Sequence, residues 1–152
     1  MPRDFSFKKI NHLFKLEELN PPRSIRSWGR YISAIYEGRC IVTGRSSTET
    51  PLEIHHLFSN YLLETNKVSP KDSLSLKFSV LNGVTLEKSL HKRFHTEYGN
   101  RVTPLMFHSF LAVLEKENSS LDKQRIKEVK SWILCLYREL TLVYPVVRSL
   151  KL

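Results

Sequence analysis

The chain has 152 residues, 41% of them hydrophobic, which fits one globular domain with a sizeable core and excludes a multidomain protein. Its 24 lysine and arginine residues outnumber its 15 acidic residues, and the net charge of +9 favours a polyanionic partner, either nucleic acid or an anionic membrane surface. The two cysteines, Cys40 and Cys135, form no Cys-x-x-Cys unit, so a disulfide framework and a four-cysteine zinc site are excluded.

The sequence lacks the patterns that direct a chain into or across a membrane. Residues 1–20 contain no apolar stretch with a small-residue cleavage site, and no segment approaches the roughly 18 apolar residues of a membrane span. We therefore expect a soluble intracellular protein, in the cytoplasm or an organelle interior, with no membrane partner.

Two helices are predicted before residue 39. Residues 11–19 favour a short helix that Pro21-Pro22 end, and Ser24 then offers an N-cap for the second helix. The second helix is amphipathic and ends near Gly38, because apolar side chains recur at helical spacing at Ile25, Trp28, Ile32 and Ile35. The arginines of this region face either solvent or phosphate: Arg23, Arg26 and Arg30.

A β-hairpin is predicted next. Residues 40–43 favour a short strand, residues 44–51 a polar turn, and residues 52–55 the antiparallel partner strand. Residues 57–81, with a break at Ser69-Pro70, predict an ordered loop that carries partial helix or strand.

The remainder of the chain is predicted to be mainly helical. Residues 84–86 have the pattern of a strand end, and residues 87–98 that of a helix closed by Gly99. Residues 103–118 predict a helix with a Thr-Pro start. Residues 121–143 predict a long helix with one apolar stripe in the core, formed by Ile126, Val129, Trp132, Ile133, Leu136, Tyr137 and Leu140.

Four of the six histidines form two clusters, His55-His56 on a predicted strand and His91 with His95 on the following helix. Histidines four residues apart share a helix face, where two imidazoles can hold one metal ion, although such pairs also arise by chance on surfaces. Adjacent strand residues point to opposite faces, so one of His55 and His56 can ligate a metal while the other stays free as a general base. Histidine suits that second role because its ordinary pKa of about 6.5 leaves it largely neutral at pH 7.

These residues resemble the motif of HNH endonucleases of the ββα-metal finger type. In Leu-Glu-Ile-His-His-Leu, His56 matches the first histidine of the motif, the base, and His55 the ligand position before it. Asn82 matches the central asparagine, His91 the final residue, and His95 the second helical ligand of colicin-type nucleases. The run from Asn-Gly-x-x-Leu to His-x-x-Phe-His-x-x-Tyr-Gly is similar to phage and intron-encoded members.

The resemblance covers roughly residues 39–99 and implies an α+β fold, in which a small ββα-metal finger, a β-hairpin plus a helix, is embedded in a mainly helical domain. It divides the chain into an N-terminal helical segment (1–38), a nuclease core (39–100) and a C-terminal helical extension (101–152). Many relatives frame the finger with two Cys-x-x-Cys knuckles. Because only Cys40 stands at such a place, with Thr43, Glu87 and Leu90 near the other three, we expect no structural zinc.

The resemblance also implies hydrolysis of a DNA phosphodiester with one divalent metal ion. His56 would take a proton from water, His55, His91 and His95 would hold the metal, and Asn82 would tie the loop so that His56 is aimed. Without the resemblance, Asn82 is explained by an Asn-Gly turn, in which asparagine tolerates positive φ.

An all-histidine ligand set favours Zn, Ni, Co or Mn over Mg, although availability in the cell can still select Mg. Arg45, Lys92 and Arg93 either contact phosphates near the cut or face solvent. The other two histidines, His12 and His108, are predicted as surface or packing residues, and the cysteines as buried small hydrophobes.

Three functions remain open from the sequence. The first is a metal-dependent DNA endonuclease of homing or mobile-element type, acting on one strand or both. The second is a non-catalytic nucleic-acid-binding module that keeps a metal-stabilised finger, and an RNA-directed nuclease is a third. Homodimerisation and target specificity stay open as well.

Overall fold

The computed structural model describes residues 22–152, together with His12 and Lys15. Within these residues the fold is α+β and mostly helical, as predicted: a two-stranded antiparallel sheet, six α-helices and a 3-10 helix. The elements in chain order are α1 (Ile25–Ile35), β1 (Leu52–His56), α2 (Asn60–Thr65), α3 (Pro70–Lys77), β2 (Gly83–Glu87), α4 (Lys88–Tyr98), α5 (Pro104–Lys116), α6 (Lys123–Val143) and the 3-10 helix Pro145–Ser149. The helix predicted over residues 11–19 lies outside the described residues, apart from His12 and Lys15, which are exposed.

The observed strand pairing corrects the predicted hairpin. β1 pairs with β2, with Leu52 opposite Glu87 and His56 opposite Gly83, whereas residues 40–43 form a turn. The turn closes on itself, because Gly44 N–H donates to the Cys40 carbonyl and Cys40 N–H donates to the carbonyl of Arg45. These local bonds use backbone groups that a strand would offer to a neighbour, and β1 therefore pairs with the later strand.

The segment between the two strands is more helical than predicted. The expected loop over residues 57–81 contains helices α2 and α3. Ser59 caps α2 by accepting the backbone N–H of Leu62, and Ser69 caps α3 with Pro70 at its first turn. The break predicted at Ser69-Pro70 is therefore the start of a helix.

The second of the two predicted helices is confirmed as α1, with Ser24 at its N-cap in a capping box with Ser27. It ends at Ile35, before the expected Gly38. Trp28 and Ile32 are buried as predicted. Ile25, the first residue of the helix, is exposed, contrary to the expected stripe.

The two C-terminal helices are close to their predicted ranges. α5 begins at Pro104 behind the Thr103 cap and ends at Lys116, and α6 begins at Lys123 behind the Asp122 cap. The two helices pack against each other. The predicted stripe on α6 is buried except for Tyr137, which is half-buried. None of the described helices is both long and apolar enough to span a membrane.

The small sheet lies between helices from different parts of the chain. On one face, α1 packs against β1 and β2, with Gly29 beside Ile54. On the other face, α4 packs against both strands, with Phe94 beside His55. The buried apolar side chains of α1, the sheet, α4, α5 and α6 form one cluster. The division at residues 38 and 100 stays a prediction.

Arg125 joins the long helix α6 to the turn over residues 40–44. Its Nε donates to the Ile41 carbonyl over 2.9 Å and its Nη2 to the Cys40 carbonyl over 3.2 Å. The side chain also lies against Gly44, and its burial lowers the pKa of the guanidinium. The Cys40 thiol in turn accepts the backbone N–H of Glu87 over 3.3 Å, which connects the turn to the end of β2.

We expect Arg125→Met to lower the free energy of unfolding by about 1.5–3 kcal/mol, because two carbonyls lose a charged donor. Urea unfolding followed by circular dichroism measures this change. Lys127→Met, on an exposed part of the same helix, is the matched control and should change stability by less than about 0.5 kcal/mol. Equal stability of the two variants would show that Arg125 does not hold the turn.

Candidate metal centre and active site

The two adjacent histidines of β1 occupy opposite faces of the sheet, as the strand pattern predicts. His55 faces α4 and is fully buried, with its ring 4.8 Å from those of Phe94 and Phe107. His56 faces α1, where its imidazole stacks on the indole of Trp28 with ring centroids 4.0 Å apart and planes 13° from parallel. The two side chains therefore lie in separate environments.

His55, His91 and His95 come together on the α4 face. One nitrogen of each imidazole lies within 4.8 Å of the other two, and the Nε2 atoms of His91 and His95 are 3.0 Å apart. Two nitrogens bound tetrahedrally to one zinc ion would be roughly 3.3 Å apart. Neither nitrogen of the buried His55 ring has a hydrogen-bond partner among the described residues. These three residues could hold a metal ion.

Hydrogen bonds on the outer side of the cluster orient two of the rings. His91 Nδ1 lies 2.6 Å from a carboxylate oxygen of Glu53, and His95 Nδ1 lies 2.9 Å from the carbonyl oxygen of Gly99. Both oxygens accept hydrogen bonds, so the protons belong on Nδ1 and the Nε2 lone pairs face each other. Lone pairs in this arrangement favour a cation or a shared proton between them.

The imidazole of His55 is held in its neutral form. Burial lowers the pKa of His55 well below its ordinary value, and the neighbouring His91 and His95 act in the same direction. A neutral imidazole is the form that offers a lone pair to a metal.

His56 has a hydrogen bond to the backbone of Lys77, while its Nε2 is buried and has no partner among the described residues. Burial lowers the pKa of His56 to about 4, and the positive charge of Lys77 acts in the same direction. A neutral imidazole with one free nitrogen is the form that can accept a proton.

Asn82 lies outside the histidine cluster and joins the two strands at the end where both histidines lie. Its side-chain oxygen accepts the N–H of Phe58 over 2.7 Å, and its amide nitrogen donates to the Phe58 carbonyl over 3.1 Å. Its backbone carbonyl accepts the N–H of Leu57. The fully buried Asn82 therefore holds the two residues that follow His56.

Comparison with known families gives a match over the part of the chain that contains this cluster. Residues 40–98 match the family model described as HNH endonuclease. We call residues 40–98 the HNH domain, after the family model that they match. No curated protein and no solved structure matches the chain. The match suggests nuclease-type activity, and HNH nuclease domains act on DNA and typically use a divalent metal ion.

The HNH domain contains His55, His56, His91 and His95, together with Asn82. The helices α1, α5 and α6 lie outside the matched residues. The other two histidines are remote from the cluster in sequence, and His12 is exposed while His108 is half-buried. Of the cysteines, Cys40 is buried and Cys135 is half-buried.

The three cations predicted to contact phosphate differ in their partners. Arg45 pairs with the buried carboxylate of Glu87 over 2.9 Å. Arg93 pairs with Glu117 and Glu97, and these hydrogen bonds raise the pKa of the guanidinium. Lys92 is exposed on the HNH helix α4 and has no ion pair among the described residues. Phosphate contact by these residues stays a prediction.

Sequence reasoning missed three residues that contact the site. Glu53 precedes His55 by two residues, so strand alternation places both on one face and could have indicated it. Trp28 was assigned only to the core, because helical periodicity does not tell which side chain the indole contacts. Lys77 lies in a segment whose sequence gave no signal of its approach to His56.

Asn82→Ala is expected to lower the free energy of unfolding by about 1–3 kcal/mol, because it leaves the buried N–H and carbonyl of Phe58 unpaired. The experiment is urea unfolding of the variant and the wild type. Asn100→Ala is the control, since Asn100 is exposed and its side chain has no hydrogen bond among the described residues. A variant at position 82 as stable as this control would contradict a clamping role.

Proposed function

We propose that this protein is a metal-dependent endonuclease that hydrolyses phosphodiester bonds in DNA. The observation that carries the proposal is the buried His55 ring, whose nitrogens lack partners, facing the Nε2 atoms of His91 and His95. A purely structural histidine would have hydrogen bonds to its buried nitrogens. The HNH family supports the reaction class.

In this proposal His55, His91 and His95 hold one divalent ion, and Glu53 and Gly99 orient the two helical ligands. The bound ion supplies positive charge that stabilises the negative charge developing on the phosphate and the departing 3′ oxygen. Three imidazoles favour a transition metal such as Zn, Ni, Co or Mn over Mg, which prefers carboxylates and water.

His56 is the proposed general base. Its hydrogen bond to the Lys77 backbone leaves Nε2 free to take a proton from water. The water oxygen forms a bond to phosphorus, and the bond from phosphorus to the 3′ oxygen breaks. The departing 3′ oxygen takes a proton from solvent water, so the products carry 5′-phosphate and 3′-hydroxyl ends. Asn82 acts as a positioning residue, because it holds the backbone directly after His56.

Phosphate contacts are proposed for the exposed face of α4. Lys88 and Lys92 are exposed and lie three residues before His91 and His95, which places them beside the cluster on the helix. The net charge of +9 favours approach of DNA to such a surface. Arg45 would contribute through the part of its guanidinium that Glu87 does not use. Arg93 would contribute only by giving up a bond to Glu97 or Glu117, because these carboxylates together engage all three of its guanidinium nitrogens.

We expect His56→Ala to lower the rate of DNA cleavage by about a hundredfold or more, because the general base is lost. The assay follows the conversion of supercoiled plasmid to nicked or linear DNA. Separate reactions contain Mg, Mn, Ni, Zn or EDTA. Wild-type cleavage should disappear with EDTA, and a nicked or linear product reports whether one or both strands are cut. A homodimer would be expected to cut both strands and give the linear product. The homing or mobile-element type remains part of the proposal.

His12→Ala is the control for this test, since His12 is exposed. It should cleave at the wild-type rate. Absence of cleavage with every metal by a protein that still binds DNA would contradict the proposal and favour a non-catalytic binding module. Cleavage of RNA alone would contradict the choice of DNA.

Glu53→Gln is expected to weaken the binding of Ni or Zn about ten- to a hundredfold, because a neutral amide supports the His91 Nδ1–H less well than a carboxylate. Isothermal titration of the metal-free protein measures this affinity. Glu64→Gln, on the exposed surface of α2, should bind as tightly as the wild type. Unchanged affinity of the Glu53 variant would remove its carboxylate from the proposed metal site.

A further inference from the structure

Among the described residues, the aromatic ring stacked on His56 comes from outside the HNH domain. Trp28 lies on α1, twelve residues before the matched segment begins at residue 40. Its indole covers one face of the His56 ring, with centroids 4.0 Å apart and planes 13° from parallel. The face of a buried tryptophan thus covers His56, whose Nε2 has no hydrogen-bond partner among the described residues.

The indole is fixed at a second point. Trp28 Nε1 donates to the backbone carbonyl of Ser79 over 2.9 Å, which prevents the ring from turning over. The hydrogen bond from His56 reaches the backbone of Lys77, two residues earlier in the same segment. One short segment therefore positions both rings of the stack.

Gly83 provides the space in which the indole lies. It is the residue opposite His56 in the β1–β2 ladder. A Cβ atom at this position would lie 2.5 Å from Trp28 Cζ2 and 3.2 Å from Ile32 Cδ1. Any side chain here must displace the indole, because real Cβ atoms do not approach ring carbons so closely.

We propose that Trp28, accommodated by Gly83, is a positioning residue for His56 and that the active unit of this protein therefore begins at α1. This inference rests on the proposed function of His56 as the base. A base nitrogen must lie within about 2.6–3.2 Å of the water oxygen whose proton it takes, and displacement by about 1 Å can cost a hundredfold in rate. Stacking fixes the ring plane, and the Lys77 contact fixes rotation within that plane.

The first test is whether the stack exists in solution, independently of any activity. The side-chain protons of His56 should show an upfield ring-current shift in NMR spectra of the wild type, assigned by their absence in His56→Ala. The shift should shrink in Trp28→Phe and disappear in Trp28→Leu. It should persist in Trp132→Leu, which removes the other tryptophan, also buried and also with a hydrogen-bonded indole N–H.

The second test compares turnover in the same variants. We expect kcat for DNA cleavage to fall about tenfold or more in Trp28→Leu and less in Trp28→Phe, with KM and the affinity for Ni unchanged. Trp132→Leu controls for the loss of a buried tryptophan and should keep the wild-type kcat at a temperature where all variants are folded by circular dichroism.

The third test uses Gly83 to displace the indole without altering it. Gly83→Ala should lower kcat in the wild-type background, because the new methyl group pushes against Trp28. In the Trp28→Leu background the same change should add little further loss, since the 2.5 Å approach to the indole is gone and only the contact with the flexible end of Ile32 remains. Such non-additivity is the signature of two residues that act through one contact.

The outcomes separate this inference from the proposed function. If neither the wild type nor His56→Ala cleaves DNA, the proposed function fails, and with it a positioning role in catalysis, even where the ring-current shift is seen. If the wild type cleaves and His56→Ala does not, wild-type kcat in Trp28→Leu would overturn the inference alone. Equal losses of kcat in Trp28→Leu and Trp132→Leu would overturn it too, because they would reflect general destabilisation.

Discussion

The antiparallel pairing of Leu52–His56 with Gly83–Glu87 is the constraint on which the rest of the structure depends. Because side chains alternate along a strand, this register sends His55 towards α4 and His56 towards α1. A slip of one residue would exchange the two histidines between the faces. The clamp of Asn82 on Phe58 lies at the end of the ladder where both histidines sit, and it opposes such a slip.

A sheet of two strands is marginally stable by itself, and its surroundings explain why this one persists. α1 and α4 cover its faces, and the turn over residues 40–44 lies along β2 through a bond from Ile41 N–H to the Thr85 carbonyl. Arg125 extends this support to α6. The helices outside the HNH domain therefore stabilise the small sheet that carries the histidines.

The imidazoles on the two faces of the sheet have different surroundings. On the α4 face several nitrogens converge, and their outer hydrogen bonds leave lone pairs directed at one another. On the α1 face a single nitrogen is isolated beneath an aromatic ring. Buried polar atoms without partners cost stability, so their concentration on two adjacent histidines is typical of a functional site rather than of an ordinary core.

Much of the site could be predicted from the sequence because it depends on the regular direction of side chains along one helix and one strand. The spacing of His91 and His95 and the adjacency of His55 and His56 determine which imidazoles share a face once the helix and strand exist. The capping residues Ser24 and Thr103 likewise act on their own helices, so local reasoning located both helix starts.

Only the tertiary structure decided which segments meet. The apolar run at residues 40–43 is as suited to a strand as β2 is, and local hydrogen bonds around Cys40 made it a turn instead. The contact of Trp28 with His56, the bond of Arg125 to residues 40 and 41, and the pairing of Arg93 with Glu117 all join residues that are distant in the chain. Such contacts depend on how whole elements pack against one another. Hydrophobic periodicity in a single sequence indicates helices and strands but does not indicate which of them pack together.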